Sequence, residues 1–202
     1  MLLTFANRYA MEFACKHYHY TGKVPGGKVI GYNVYNDKRE WCGIIIYGSG
    51  VNLHIAEPYN KWQGQVIELV RIALNGKQSS VSEPLSISLK LIKKDIPLLD
   101  LIVSYADANQ DHYGGIYQAT NWIYEGEFAR EQGIRIYGKI IHKRTVNSRY
   151  GTSSIDWLKE NIDPNAEIVK GKSKFKYLYP LNKKMREKVK LLAKPYPKEK
   201  DI

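Results

Sequence analysis

The sequence predicts an α+β (or α/β) fold: a mixed, mostly antiparallel central sheet flanked by helices, with a basic C-terminal extension. Three observations predict it. Before residue 143, runs that alternate with period two, or that are rich in β-branched residues, outnumber helical ones. Four such runs come in succession, and only then do strands alternate with helices. After residue 142 the composition changes, with sixteen Lys/Arg against seven Asp/Glu. Residues 1–143 are therefore read as a core, and 144–202 as a basic extension packed on it.

Residues 1–16 place Leu3, Ala6, Tyr9, Ala10 and Phe13 at helical spacing, which predicts an amphipathic helix. His17-Tyr18-His19-Tyr20-Thr21-Gly22 and the following Pro25-Gly26-Gly27 predict a loop dense in possible ligands, acids and stacking groups. Two strands follow, KVIGYNVY and WCGIIIYG, joined at Asn36-Asp37 as an antiparallel hairpin. Residues 49–57 add a short strand or a covering loop. QVIELVRIAL (65–74) is a long strand. Glu68 and Arg71 sit three apart in it, so a regular strand sends them to opposite faces unless it is bulged. Pro84–Lys94 is a helix with Ser82 as N-cap and Leu85, Leu89 and Ile92 inward. Leu98–Ala106 is a buried strand, Tyr113–Tyr124 a helix, and Phe128–Lys143, where IRIYGKIIH alternates, a strand that is a hairpin partner.

The net charge of +11 points to a polyanionic partner, DNA or RNA, or to an anionic surface. Sixteen Tyr against four Phe supply flat faces for bases and hydroxyls for bonding. Lys and Tyr interleave in KFKYLY, a pattern suited to phosphate contact with stacking. Lys143, Arg144, Arg149, Lys172, Lys174 and Lys176 are the candidate DNA contacts. Cys15 and Cys42 form no CxxC or zinc spacing and read as reduced, buried thiols of a cytoplasmic protein. No signal peptide and no membrane span are expected.

The strand-to-helix corner VSYADANQDHYGGIYQATNWIYEG (103–126) gathers carboxylates, an imidazole and tyrosines. The element order resembles the GNAT acyltransferase core. The usual Gly-rich pyrophosphate loop is replaced here by NGKQSSVSE, which puts acyl-coenzyme A binding in doubt. Four blocks together, His19-Tyr20-Thr21-Gly22, Glu68-Leu69-x-Arg71, Ser104-Tyr105-Ala106-Asp107 and Gly115-x-Tyr117-Gln118-Ala119-Thr120-Asn121-Trp122, resemble the phage Mom family of GNAT-like DNA-adenine modification proteins. The resemblance runs from about His17 to the Pro-Tyr-Pro near the C-terminus.

That resemblance implies conversion of adenine in double-stranded DNA to N6-carbamoylmethyladenine, which protects phage DNA from host restriction in the host cytoplasm. It puts His19, Tyr20, Asp107 and Tyr117 on catalytic or metal-associated positions linked to iron, and Glu68 and Arg71 in a second functional block. The donor of the group is left open, as is the choice between monomer and homodimer.

The residue types suit such chemistry. The adenine amine is a poor nucleophile and needs a base, an activated donor or a metal. A His, a carboxylate and Tyr oxygens make a hard donor set for iron; alternatively Asp107 serves as base and His19 as acid. The paired base must be flipped, and Tyr20 or Trp122 could stack on it. Structural readings stand beside these: Asp107 as a helix cap, Tyr117 and Trp122 as core, Glu68 and Arg71 as an ion pair. Two other functions compete, a GNAT-type N-acyltransferase acting on a protein or small molecule, and a non-enzymatic basic DNA-binding protein.

Overall fold

A computed structural model describes residues 1–49, 52, 54–108, 112–128, 132–170 and 174–197. The chain divides into two compact units. The first comprises residues 1–106, 114–126 and 176–202, and the second 107–113 and 127–175. The division does not run at residue 143/144: the basic C-terminal third supplies residues to both units.

The first unit is built on a seven-stranded sheet with the order β1-β2-β3-β4-β5-β10-β6. Its strands are β1 (Leu2–Phe5), β2 (Val29–Tyr35), β3 (Trp41–Gly48), β4 (Val66–Leu74), β5 (Leu101–Asp107), β6 (Ile123–Phe128) and β10 (Lys174–Pro180). The first four pair antiparallel and β4 pairs parallel with β5. The expected hairpin, long strand and buried strand are thus present, and the mixed sheet is as expected. Its helices are α1 (Arg8–Tyr18), α2 (Ser82–Asp95), α3 (Gly115–Ala119) and α6 (Lys183–Lys190). No helix among the described residues is long and apolar enough to cross a membrane.

Cross-strand register sorts side chains onto two faces of this sheet. Ile44 and Ile46 of β3 pack with Met11, Ala14 and Cys15 of α1. Val66, Leu101, Val103 and Leu178 pack on the same side, against Tyr59 and against Met185 and Val189 of α6. On the opposite side Tyr47 bonds Ser88 of α2 at 2.7 Å, and Tyr32 donates to Asp95 at 2.6 Å.

Four elements differ from expectation. The N-terminal helix is preceded by β1, because Asn7 caps α1 by accepting the N–H of Ala10 at 2.8 Å. Tyr9 and Phe13 consequently face solvent, and Met11, Ala14 and Cys15 face in. Helix α2 begins at Ser82, and Ser80 Oγ, not Ser82, accepts a first-turn N–H, that of Glu83. The helix expected over 113–124 is the single turn α3, after which the chain becomes β6. Gly114 starts that turn, with φ +83 and no room for a Cβ, which would lie 2.3 Å from the Tyr177 ring; Asn121, at φ +61, ends it as the Trp122 N–H returns to the Tyr117 carbonyl at 3.0 Å. Finally, KFKYLYP is β10, an inner strand between β5 and β6.

The second unit holds a three-stranded sheet, β8-β7-β9, from β7 (Gln132–Ile136), β8 (Lys139–His142) and β9 (Glu167–Lys170), with α4 (Lys143–Tyr150) and α5 (Ile155–Asn161). The alternating IRIYGKIIH forms the β7–β8 hairpin, and Tyr137 and Gly138 both have positive φ, as a tight two-residue turn requires. Its core is Ile134, Ile136, Val146, Leu158 and Ala166.

Candidate active site

Helix α1 ends where His19 adopts an extended backbone, φ −134 and ψ 133. The His19 carbonyl accepts the N–H of Gly22 at 2.9 Å, which folds His19-Tyr20-Thr21-Gly22 into a turn. His19 Nδ1 accepts the N–H of Thr21 at 3.2 Å and lies 2.9 Å from Thr21 Oγ1. With Nδ1 accepting, the proton of the neutral ring is on Nε2. The Tyr20 ring stacks on His19 at 4.5 Å and is 55% exposed.

The β3–β4 register shifts between Ile46 and Tyr47, where Ile46 faces Arg71 and Tyr47 faces Leu69. Val70 is the extra residue of a bulge. The bulge puts Glu68, opposite Gly48, and Arg71, opposite Ile46, on one face of the sheet, the face that carries α1. Val70 packs on the same apolar cluster as Tyr18 and Val24, which flank the His19 turn. Both motifs therefore lie on one side. The bulge also bends β4 away from β5: their ladder ends at Glu68↔Val103, although β4 runs on to Leu74. Arg71 donates from Nη1 to the Val70 carbonyl at 2.6 Å, and its Nε is buried with no hydrogen-bond partner among the described residues.

On the same face, further along the sheet, lies a polar cluster that sequence reading missed. Glu125 Oε2 accepts from the Tyr59 hydroxyl at 2.7 Å and from Lys176 Nζ at 3.0 Å. Lys176 Nζ also lies 5.1 Å over the Tyr59 ring. Burial, then the charges of Glu68 and Glu125, push the Tyr105 phenol up to about 12. Period-two counting along KFKYLY puts Lys176 with Leu178 on one face, a signal outweighed by the surrounding charge.

Tyr117 lies on the other face. It is 8% exposed, and its hydroxyl is 2.8 Å from Ser104 Oγ, which donates to the Leu69 carbonyl at 2.8 Å. Burial and the nearby Glu68 carboxylate hold its phenol up at about 12. Trp122, 5.0 Å from the Tyr117 ring, is fully buried and so cannot be a base platform without unfolding its surroundings. Asp107 is the last residue of β5 and belongs to the second unit, where its carbonyl accepts the N–H of His112 at 3.2 Å. It does not cap α3, whose N-cap is Gly114. The structure thus brings Glu68 and Arg71 onto the face of the His19-Tyr20 turn, and sets Tyr117 beneath the opposite face.

Iron was expected on His19, Tyr20, Asp107 and Tyr117. Tyr117 does not fit: its hydroxyl is bonded inside the protein, and burial opposes the phenolate a ferric ion prefers. Among the described residues no group of three or more His, Cys, Asp or Glu is placed to hold a metal.

The DNA-contact candidates divide. Lys143, Arg144 and Arg149 are exposed on α4, with Arg149 6.0 Å over the Tyr150 ring, and Lys174 is half-buried. Lys172 lies outside the described residues. Lys176 is the correction. It is 4% exposed and committed to Glu125, because β10 turns it inward, so it is no surface cation.

The antiparallel strands, the bulged β4 and the parallel step to β5 define a GNAT-like fold. Solved structures share it: a mutant of spermidine N-acetyltransferase SpeG from Vibrio cholerae superposes with TM-score 0.52 at 9% identity, covering 89% of this chain and 95% of that one. A dodecameric form of the same acetyltransferase in an intermediate state gives 0.51 at 9% identity, covering 89% and 92%. Within that fold the chain belongs to the Mom protein family, whose model matches residues 3–198. A curated relative, the methylcarbamoylase mom of Escherichia phage Mu, is 26% identical over 192 residues, 89% of this chain and 76% of the relative.

Proposed function

We propose that this protein is a transferase that places a carbamoylmethyl group on N6 of adenine in double-stranded DNA, and so protects phage DNA from host restriction. Family membership over residues 3–198 carries this reading, and the name of the phage Mu relative supports the group transferred. The face bearing α1 supplies suitable chemistry. When the N6 amine forms a bond to the incoming methylene carbon, it must lose a proton while the leaving group departs with the bonding electrons. Glu68, a half-buried carboxylate beside the parting of β4 and β5, is the base. The buried Nε–H of Arg71 awaits an acceptor, which an oxygen of the donor supplies. His19, whose Nδ1 accepts the Thr21 N–H so that Nε2 carries the proton, is the acid that assists the leaving group. Tyr20, exposed and stacked on His19, offers the flat face against which a flipped adenine rests.

The test is nucleoside mass spectrometry of plasmid DNA co-expressed with the protein. Modified deoxyadenosine is expected, and its absence from a well-expressed culture would count decisively against the reading. A second reading, an N-acyltransferase acting on a protein or small molecule, is favoured by the fold alone. The connection from β4 to α2 carries one glycine, Gly76, which gives it little support. Tight acetyl-coenzyme A binding in calorimetry would revive it.

A further inference from the structure

Two grooves border α6, and they use their lysines differently. The first, about 200 Å³, is lined by Lys61, Asp100, Asn182, Lys184 and Lys188 among others. Its cations are largely spent within the protein: Lys61 pairs with Asp100 at 2.5 Å, and Lys188 Nζ donates to the Tyr59 carbonyl at 2.6 Å. The second, about 490 Å³, lies between α2 and α6 around the end of β10. Its floor is Leu89, Tyr179, Pro180 and Leu181, and its rims carry Lys90 and Lys93 on one side and Lys183 and Arg186 on the other. Among the described residues no carboxylate lines it. Lys93 is tied to the carbonyls of Pro97 and Leu99, but Lys90, Lys183 and Arg186 make no ion pair among the described residues.

Solvated lysines on a helix are ordinary, and α2 gains from Lys93 and Lys94 near its C-terminus. That account does not extend to α6. Its first turn carries Lys183 and Lys184, with Arg186 following and no acid, against the direction its dipole favours. Four like charges around one open groove repel one another unless a polyanion lies between them. Two cationic rims, each one helical turn long, match a single strand of phosphodiester backbone better than a compact anion.

We infer that the groove between α2 and α6 is the seat of one phosphate backbone of duplex DNA. The inference rests on the proposed function and deepens it, because it moves the DNA contact from the strand residues of KFKYLY to α2 and α6. Lys90, Lys183 and Arg186 are the phosphate contacts, and they fix the duplex without reading its sequence.

The test measures binding of the full chain to a labelled duplex over a series of salt concentrations. The wild type should bind with a steep inverse dependence on salt. The variant K90Q/K183Q/R186Q should lose affinity on the order of tenfold or more at low salt, and its log–log salt slope should shrink by about three. The single variants K90Q and R186Q should each shrink it by about one, which keeps the test open if the triple variant folds poorly. The α4 variant K143Q/R144Q/R149Q serves as comparison. An unchanged slope in the groove variants beside a binding wild type overturns this inference and leaves the DNA reading intact. A wild type that does not bind duplex at all overturns the DNA reading itself.

Discussion

The two faces of the main sheet are made from the same strands and carry opposite chemistry. On the side of α2, the strands give Tyr32, Tyr47, Tyr124 and Tyr177, and α3 and the turn after it add Tyr117 and Trp122, a belt of rings such as the Tyr117–Tyr177 contact at 4.8 Å. On the side of α1 and α6, the same strands give Glu68, Arg71, Tyr105, Glu125 and Lys176. Strand alternation permits this, since neighbours one residue apart answer to different surroundings. Tyrosine on the first face is packing material with an internally satisfied hydroxyl. On the second it stands among charges, and that is the face on which we propose the chemistry.

The sharpest way to break the comparison is one substitution on each face. Glu68→Gln should lower adenine modification by about 10²- to 10⁴-fold, the usual worth of a general base, with the melting temperature little changed. Tyr117→Phe should leave modification within a few-fold. If Tyr117→Phe abolishes modification in folded protein while Glu68→Gln does not, the assignment of faces is reversed.

Next in size is the buried pair. Lys176→Met leaves Glu125 charged, buried and short of its cation. The expected loss of folding stability is about 3–5 kcal/mol by denaturant titration. The double variant with Glu125→Leu should recover most of it; no recovery would mean that the pair does more than neutralise itself.

Alkali provides a third test. The folded Tyr117 phenol is held at about 12, and the unfolded group ionises near 10. A raised folded value means the stabilisation is complete below about pH 10 and is lost as pH climbs to about 12. Tyr32, Tyr47, Tyr59 and Tyr177 are pushed up too, chiefly by burial, so their contributions add in the same direction. Unfolding free energy should therefore fall between pH 10 and 12, with a shallower fall in Tyr117→Phe. The smallest effect is that variant's own cost at neutral pH. Losing one hydrogen bond to Ser104 should reduce stability by about 1 kcal/mol.

Much of the sheet was legible because its signals are local. KVIGYNVY and WCGIIIYG alternate around a turn, and α2 shows Leu85, Leu89 and Ile92 on one stripe, all buried. What was not legible depends on distant partners. YQATNW reads as helix, but Asn121 turns left-handed at φ +61 and the Trp122 N–H returns to the Tyr117 carbonyl, which closes the helix after one turn and seats Trp122 against the rings of Tyr117 and Tyr179. Lys176 reads as surface until β10 is known to enter the sheet beside the strand bearing Glu125. Glu68 and Arg71 were named from the sequence as a pair whose shared face required a bulge, and the register supplies one at Val70. Glu125 had no local signal, because its role is set by Tyr59 and Lys176, 66 residues upstream and 51 downstream.

The place of β10 bears on how the protein comes into being. It is the last strand of the sheet in chain order, yet it lies between β5 and β6, which are made long before it. While the ribosome is still adding residues 129–173, those two strands have no strand between them, and Glu125 has no lysine. A message cut short before residue 174 therefore yields no slightly trimmed protein lacking a DNA-binding tail. It yields a sheet with open edges at β5 and β6, material for proteases and chaperones, so the complete sheet exists only in chains translated past β10.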